Sequence, residues 1–315
     1  MDQRVRILTY NVRYFGNALG GLASTPGIKR RIAARILALD PLPDVICLQE
    51  VETLSLRSSV ASRSAHPGET QLEQFMARLE QACLDQRRPF PYEAYYFRAH
   101  TYRFGEMRPI YTTGLAVLVN RERLHVAEHN VESPHHITHH HVERWKDRKQ
   151  SRICAHLRLE DRRHRSFHVF NTHLSLPTPF AKAFWATRAK MGFGSNQLEE
   201  ARALARFVFS HAGDAPFIVC GDFNSPPASP VYHFLTEEIG LVGAQEALGQ
   251  IDPMQRRGFP TAGFMHLRMH LDHLFSGGPL EWTDLDDTRP FSDPQSPFRG
   301  LSDHVPLIGR FVLVN

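Results

Sequence analysis

Cysteine is scarce in this chain, with four among 315 residues, and none of Cys47, Cys83, Cys154 and Cys220 belongs to a C-x-x-C pair. A zinc-ribbon spacing is therefore lacking, and buried free thiols of a reducing compartment explain the four better than disulfides or zinc. No apolar run is long enough to span a bilayer, so no transmembrane segment is expected. Met1-Asp2-Gln3-Arg4 leads straight into strand-like residues, which leaves no room for a secretory n-region and h-region, and a cytoplasmic location is expected. Excess charge of one sign is also lacking. Lys+Arg 37 against Asp+Glu 33 gives +4, which is compatible with an anionic substrate without requiring one. A dedicated nucleic-acid binder concentrates its charge in a basic stripe, whereas the densest run here, Arg162-Arg163-His164-Arg165, reads as a turn between two strands. No linker rich in Gly, Pro or Ser divides the chain. Residues 1–315 are expected to form one domain, and a monomer.

Hydrophobic content of 42% and charged content of 22% are ordinary for a globular protein. Val5 to Asn11 has strand character, and Ile28, Ile32, Ile36 and Leu39 recur at helical spacing until Asp40-Pro41 stops them. Val45-Ile46-Cys47-Leu48 is a buried-strand run, and Leu72, Phe75, Met76, Leu79 and Cys83 mark a second amphipathic helix. Strands follow at Tyr95–Phe97, Gly114–Val119, Ser151–Leu159 and Phe167–Leu174. Asn196 with Glu199 resembles a capping box opening a helix through Leu204 and Val208. Phe217–Cys220 is again strand-like, and Ser229-Pro230 supplies an N-cap and a first-turn proline. Leu271–Phe275 and Val305–Val314 close the chain as strands. Strands and helices interleave from end to end. Two face-packed sheets with helices outside fit this pattern better than a doubly wound parallel sheet.

The apolar runs stop at polar groups: Asn11, Gln49-Glu50, Asn171-Thr172-His173, Asp222-Phe223-Asn224 and Asp303-His304. Leu271-Asp272-His273 places a carboxylate inside another run. Strand ends are often polar simply because they reach water, but rigid strand ends also give catalytic groups positional accuracy. In order along the chain, Thr9-Tyr10-Asn11, Leu48-Gln49-Glu50, Asn171-Thr172-His173-Leu174, Gly221-Asp222-Phe223-Asn224-Ser225, Leu271-Asp272-His273 and Leu301-Ser302-Asp303-His304 resemble the motif set of the endonuclease/exonuclease/phosphatase superfamily. That family includes deoxyribonuclease I, exonuclease III-type enzymes, sphingomyelinases, inositol polyphosphate phosphatases and deadenylases.

The resemblance implies an α+β fold, a four-layered α/β/β/α sandwich of two packed, mainly antiparallel sheets flanked by helices. It implies a metal-dependent phosphoester hydrolase, a phosphodiesterase or nuclease with Mg²⁺ as cofactor and Mn²⁺ as the alternative ion. The partner is then a phosphoester substrate, nucleic acid among the options. A sphingomyelinase-like phospholipid diesterase, a phosphomonoesterase and a catalytically dead binding module are the alternatives. Carried onto this chain, Glu50 is the metal carboxylate, assisted by Asn11 and Asp303. Asp222 and Asn224 activate water and donate to a phosphate oxygen; two apart in an extended segment, they would share one face. Asp272 orients His304, a phosphate ligand or, in place of Asp222, the general base; His173 assists the leaving oxygen with a proton near neutral pH or binds phosphate. Arg13 departs from the exonuclease III pattern, which has an aspartate there, and argues against a second metal contact.

Other features read more blandly. His135, His136, His139, His140 and His141 form a patch that suggests zinc, although neighbouring loop histidines seldom converge on one ion. Arg152 is a candidate substrate-binding cation, with an exposed strand-edge charge as the alternative. Thr178 to Asn196, with Phe180, Phe184, Trp185 and Lys182, reads as a helix packed on its own domain or as a substrate lid.

Overall fold

The computed structural model describes residues 4–15, 26–55, 70–102, 111–138, 151–177, 190–251, 258–264 and 267–314. The chain enters as β1 (Val5–Asn11), in which all seven residues are buried. A strand covered on both faces needs such an almost continuous apolar run. The helix α1 (Pro26–Leu37) and the strand β2 (Val45–Ser55) follow, then α2 (Gln71–Asp85). The start of α2 is fixed by a capping box. Thr70 Oγ1 accepts from the Glu73 N–H at 3.2 Å, and the Glu73 carboxylate accepts from the Thr70 N–H at 2.7 Å. The strands β3 (Tyr92–Tyr102), β4 (Tyr111–Asn120), β5 (Leu124–His129) and β6 (His135–His136) come next. The hairpin β7 (Ile153–Asp161) and β8 (Ser166–His173) turns through Arg162 to Arg165, where the Asp161 carboxylate accepts the Arg163 and Arg165 N–H groups.

After α3 (Ser195–Ala212) and β9 (Phe217–Asp222) comes α4 (Pro230–His233), capped by Ser229 as the sequence leads one to expect. The chain closes through β10 (Val242–Gly243), α5 (Ala244–Ala247), β11 (Ala262–Phe264), β12 (Leu267–Met269), β13 (Asp272–Gly277), β14 (Leu280–Leu285) and β15 (Leu307–Leu313).

One large sheet has the order β14-β15-β1-β2-β4-β3, the other large sheet β10-β13-β9-β8-β7-β5 with β6 on β7, and β11 and β12 pair by themselves. Each large sheet is antiparallel except for one pair, β1 with β2 in the first and β8 with β9 in the second. Three apolar clusters separate the layers. Ile7, Val45, Val117, Leu157, Val169 and Phe311 fill the space between the sheets. Ile32, Ile36, Phe75 and Leu79 join α1 and α2 to the outer face of the first sheet, and Leu204, Val208, Phe170 and Phe275 join α3 to that of the second. This is the four-layered α/β/β/α sandwich. All four cysteines are buried and free.

Candidate active site

The parallel pairs set the site, because both members of each pair end at the same edge of their sheet. In the second sheet, His173 on β8 and Asp272 on β13 are both paired in register with Asp222 on β9, so one row across three strands carries all three groups. In the first sheet Asn11 pairs with Gln49. The register between β2 and β4 slips between Leu48 and Val51, and within this bulge Glu50 takes a left-handed φ of 54°. A bulge of this kind re-aims a side chain. Here it turns Glu50 across the sandwich.

Asn11 bridges the sheets, its Nδ2 donating to Glu50 Oε1 at 3.2 Å and to Asp222 Oδ2 at 3.0 Å. The same Asp222 oxygen lies 3.5 Å from His173 Nε2 and 3.7 Å from His304 Nε2. His304 Nδ1 is held by Asp272 Oδ2 at 2.8 Å. The Ala262–His304 bridge ties the last loop to β11, and the Ser302 hydroxyl, which donates to the Asn11 carbonyl at 2.8 Å, seats it against β1. Asn11, Glu50, His173, Asp222, Asp272 and His304 are thus brought together, and Asp303 lies beside them.

Asn224 departs from the extended geometry. The strand stops at Asp222, and Asn224 adopts a left-handed φ of 50°. Its N–H donates to Asp222 Oδ1 at 2.9 Å and its Nδ2 to the Leu174 carbonyl at 2.9 Å. An Asx-type turn is the local preference of an Asp-x-Asn segment, and it makes Asn224 a brace for Asp222. Arg13 also has a partner: its guanidinium pairs with Asp303 Oδ2 at 2.7 Å, and its N–H donates to Asn11 Oδ1 at 3.0 Å. Arg152 donates from Nε to Ser175 Oγ at 3.4 Å.

Burial raises the Glu50 carboxyl, and the nearby charge of Asp303 adds to the rise. Burial pushes Asp222 up to about 7, against the pull of His304 and with the help of Asp272. Burial lowers His304, but the charges of Asp272 and Asp222 outweigh it and carry the imidazole up to about 10. His173 is held well below its ordinary value by burial, then by Arg152 and His304. It is therefore a neutral ring near pH 7, opposite to the ready proton donor expected from the motif.

Asp222, Asp272 and His304 offer ligand atoms within 4.8 Å of one another. His304 Nδ1 is already committed to Asp272, however, so the freer oxygen donors lie towards Glu50. Carboxylates crowded out of water, each opposing the other's charge, together with an amide, form a donor set that fits a hard divalent cation. His135 stacks on Phe207 at 4.1 Å on the outer face of the second sheet. Neither His135 nor His136 joins a cluster of three metal-ligating side chains among the described residues. His139 to His141 and the segment 178–189 lie outside the described residues.

Sequence reasoning quoted Gln49 and Asn171 within the motifs without giving them a role, and missed Gln197 and Glu200. Gln49 Nε2 donates to Asn171 Oδ1 at 2.7 Å and so ties the two parallel pairs together. Gln197 and Glu200 sit on the buried face of α3, where polar residues in an apolar stripe were the available signal.

The profile of the endonuclease/exonuclease/phosphatase family matches residues 8–304. Over 191 residues the chain is 28% identical to Nocturnin of Drosophila melanogaster, a stretch covering 60% of this chain and 23% of that protein, so the chain spans under a quarter of that relative's length. The human Nocturnin catalytic domain with bound sulfate superposes with a TM-score of 0.61 at 20% identity, covering 99% of this chain and 94% of that one. ANGEL2, a 2′,3′-cyclic phosphatase crystallised with adenosine-2′,3′-vanadate, gives a TM-score of 0.65 at 16% identity, covering 98% of this chain and 96% of that one. With the ordered motifs, the sandwich and a family match from residue 8 to residue 304, the chain belongs to the endonuclease/exonuclease/phosphatase family.

Proposed function

We propose that this chain is a divalent-cation-dependent hydrolase of phosphodiesters, nucleic acid or nucleotides among them, with Mg²⁺ the working ion and Mn²⁺ able to replace it. One observation carries the reading. Asp222 Oδ2, on a carboxyl poised at about 7, lies within 3.7 Å of two imidazoles and accepts from the amide that also reaches Glu50. Glu50, Asn11 and Asp303 would hold the cation, which when bound neutralises phosphate charge and polarises the phosphorus centre.

The remaining chemistry belongs to the side chains. Asp222, braced by the Asn224 N–H, takes the proton of the attacking water, since a base titrating near the working pH is the most effective one. His304, kept cationic by Asp272, places positive charge at the phosphoryl oxygens, where negative charge builds in the transition state. His173, neutral, offers an N–H to the leaving oxygen. Arg13 neutralises one oxygen of Asp303, which supports a single cation rather than two.

An N–H beside the leaving group stabilises the charge that builds on the departing oxygen, and the crowded carboxylates of Glu50 and Asp222 oppose the second negative charge that a monoester carries, which favours a diester. A 2′,3′-cyclic phosphate, the kind of substrate named for ANGEL2, is itself a diester. The test compares kcat/KM for bis-(p-nitrophenyl) phosphate and p-nitrophenyl phosphate with Mg²⁺, in the wild type and in His173→Ala. The diester should be preferred, and His173→Ala should cost about 10²-fold on it. A preference for the monoester, or no cost on the diester, would overturn both the diesterase reading and the role of His173.

A further inference from the structure

Among the polar side chains that helix α3 buries, Gln197 and Glu200 stand one turn apart and are both fully shielded from solvent. A carboxylate in an apolar layer is costly unless its oxygens are used. Both oxygens of Glu200 bond to Ser175: Oε2 accepts the Ser175 N–H and Oε1 accepts the Ser175 hydroxyl, each at 2.7 Å. With its proton committed to Glu200, the hydroxyl turns its lone pairs outward. Arg152 Nε lies 3.4 Å from them, a long bond. The Nη atoms of Arg152 have no protein partner among the described residues, and its charge acts on both Glu50 and His173. Gln197 works in parallel, donating to the Asn224 carbonyl at 3.0 Å. The buried face of α3 thus reaches two segments that border the site, through Ser175 and through Asn224.

We propose that Glu200 is a positioning residue: through Ser175 it fixes the Arg152 guanidinium so that its two Nη groups bind a phosphoryl oxygen of the substrate beside Glu50 and His173. A guanidinium anchored through Nε presents its remaining donors as a fork, the geometry that suits phosphate. The relay rests on the hydrolase reading above and adds the residue that sets its phosphate grip. If Glu200 only pinned the loop after β8 to α3, its removal would lower stability and leave phosphate affinity alone.

The experiment titrates inorganic phosphate calorimetrically into the full chain with Mg²⁺ and measures KM and kcat for bis-(p-nitrophenyl) phosphate. The proteins are the wild type, Ser175→Ala, Glu200→Gln, Arg152→Ala and the Ser175→Ala/Arg152→Ala double variant. Ser175→Ala keeps the N–H bond to Glu200 and so guards against loss of the fold. It should weaken phosphate binding about 5- to 10-fold and raise KM by a similar factor, with kcat changed less. Glu200→Gln should weaken binding in the same direction. In the Arg152→Ala background, Ser175→Ala should add less than about 2-fold, because the group it positions is gone. Unchanged phosphate affinity in Ser175→Ala, or a loss that adds in full to that of Arg152→Ala, overturns the relay while the wild type still turns over. A wild type that neither binds phosphate nor hydrolyses the diester overturns the hydrolase reading, and the relay with it.

Discussion

His304 sits between two carboxylates, and that position determines the sign of its titration. Burial alone would keep the ring neutral; Asp272 at 2.8 Å and Asp222 at 3.7 Å make it a cation up to about pH 10. Asp222 must be ionised to act as base, so kcat/KM should rise with pH towards about 7 and fall again as His304 loses its proton near 10. Asp272→Asn removes a charge that raises His304, so the alkaline limb should move down by about one pH unit or more. A pH profile of kcat/KM checks this, and an alkaline limb that stays in place would remove Asp272 from the pair. At this scale the identities of the site residues were legible, because the motifs carry them in order. The neutral state of His173 was not, since it comes from burial and from Arg152 and His304, all distant in sequence. The Arg13–Asp303 pair escaped for the same reason, as its members stand near opposite ends of the chain.

Among the elements, the β8–β9 pair shows the closest tolerance. Gly221, immediately before Asp222, has φ 141°, and a Cβ there would lie 1.9 Å from the Thr172 carbonyl oxygen on the neighbouring strand. Only glycine fits so near an approach. Gly221→Ala should therefore cost about 3 kcal/mol or more, through backbone strain and overpacking. It should appear as a lowered urea midpoint with an unchanged slope. A midpoint like that of the wild type would show that β9 can shift freely, and would undo the claim that the strands hold Asp222 rigidly. The central strands were readable from their apolar runs, but β5 and β14 were not. Exposed polar residues interrupt both, as in Leu280–Leu285, where only Trp282 and Leu285 are buried. The start of α3 was placed too late. Gly194 caps it and Gln197 reaches back to the Gly192 and Gly194 N–H groups, a role that a glycine cap does not advertise.

Seen whole, the molecule is two mixed sheets that each contain one parallel pair, packed so that the ends of the two pairs meet. The Gln49–Asn171 bond and the Asn11 bridge cross between the sheets at this meeting point, and the carboxylates and imidazoles gather around it. Residues from the beginning, middle and end of the chain share one site only because the sandwich closes there. The layered fold was legible in the interleaved strands and helices; the cross-sheet hydrogen bonds became visible only once the sheets were packed. In the proposed divalent-cation-dependent phosphodiesterase, Asp222 is the base on which turnover depends. The most direct test is kcat/KM for bis-(p-nitrophenyl) phosphate at saturating Mg²⁺ in the wild type and in Asp222→Asn, which keeps the shape and removes the base. The expected result is measurable turnover by the wild type and a loss of about 10²–10⁴-fold in the variant; turnover in Asp222→Asn within a few-fold of the wild type would contradict it.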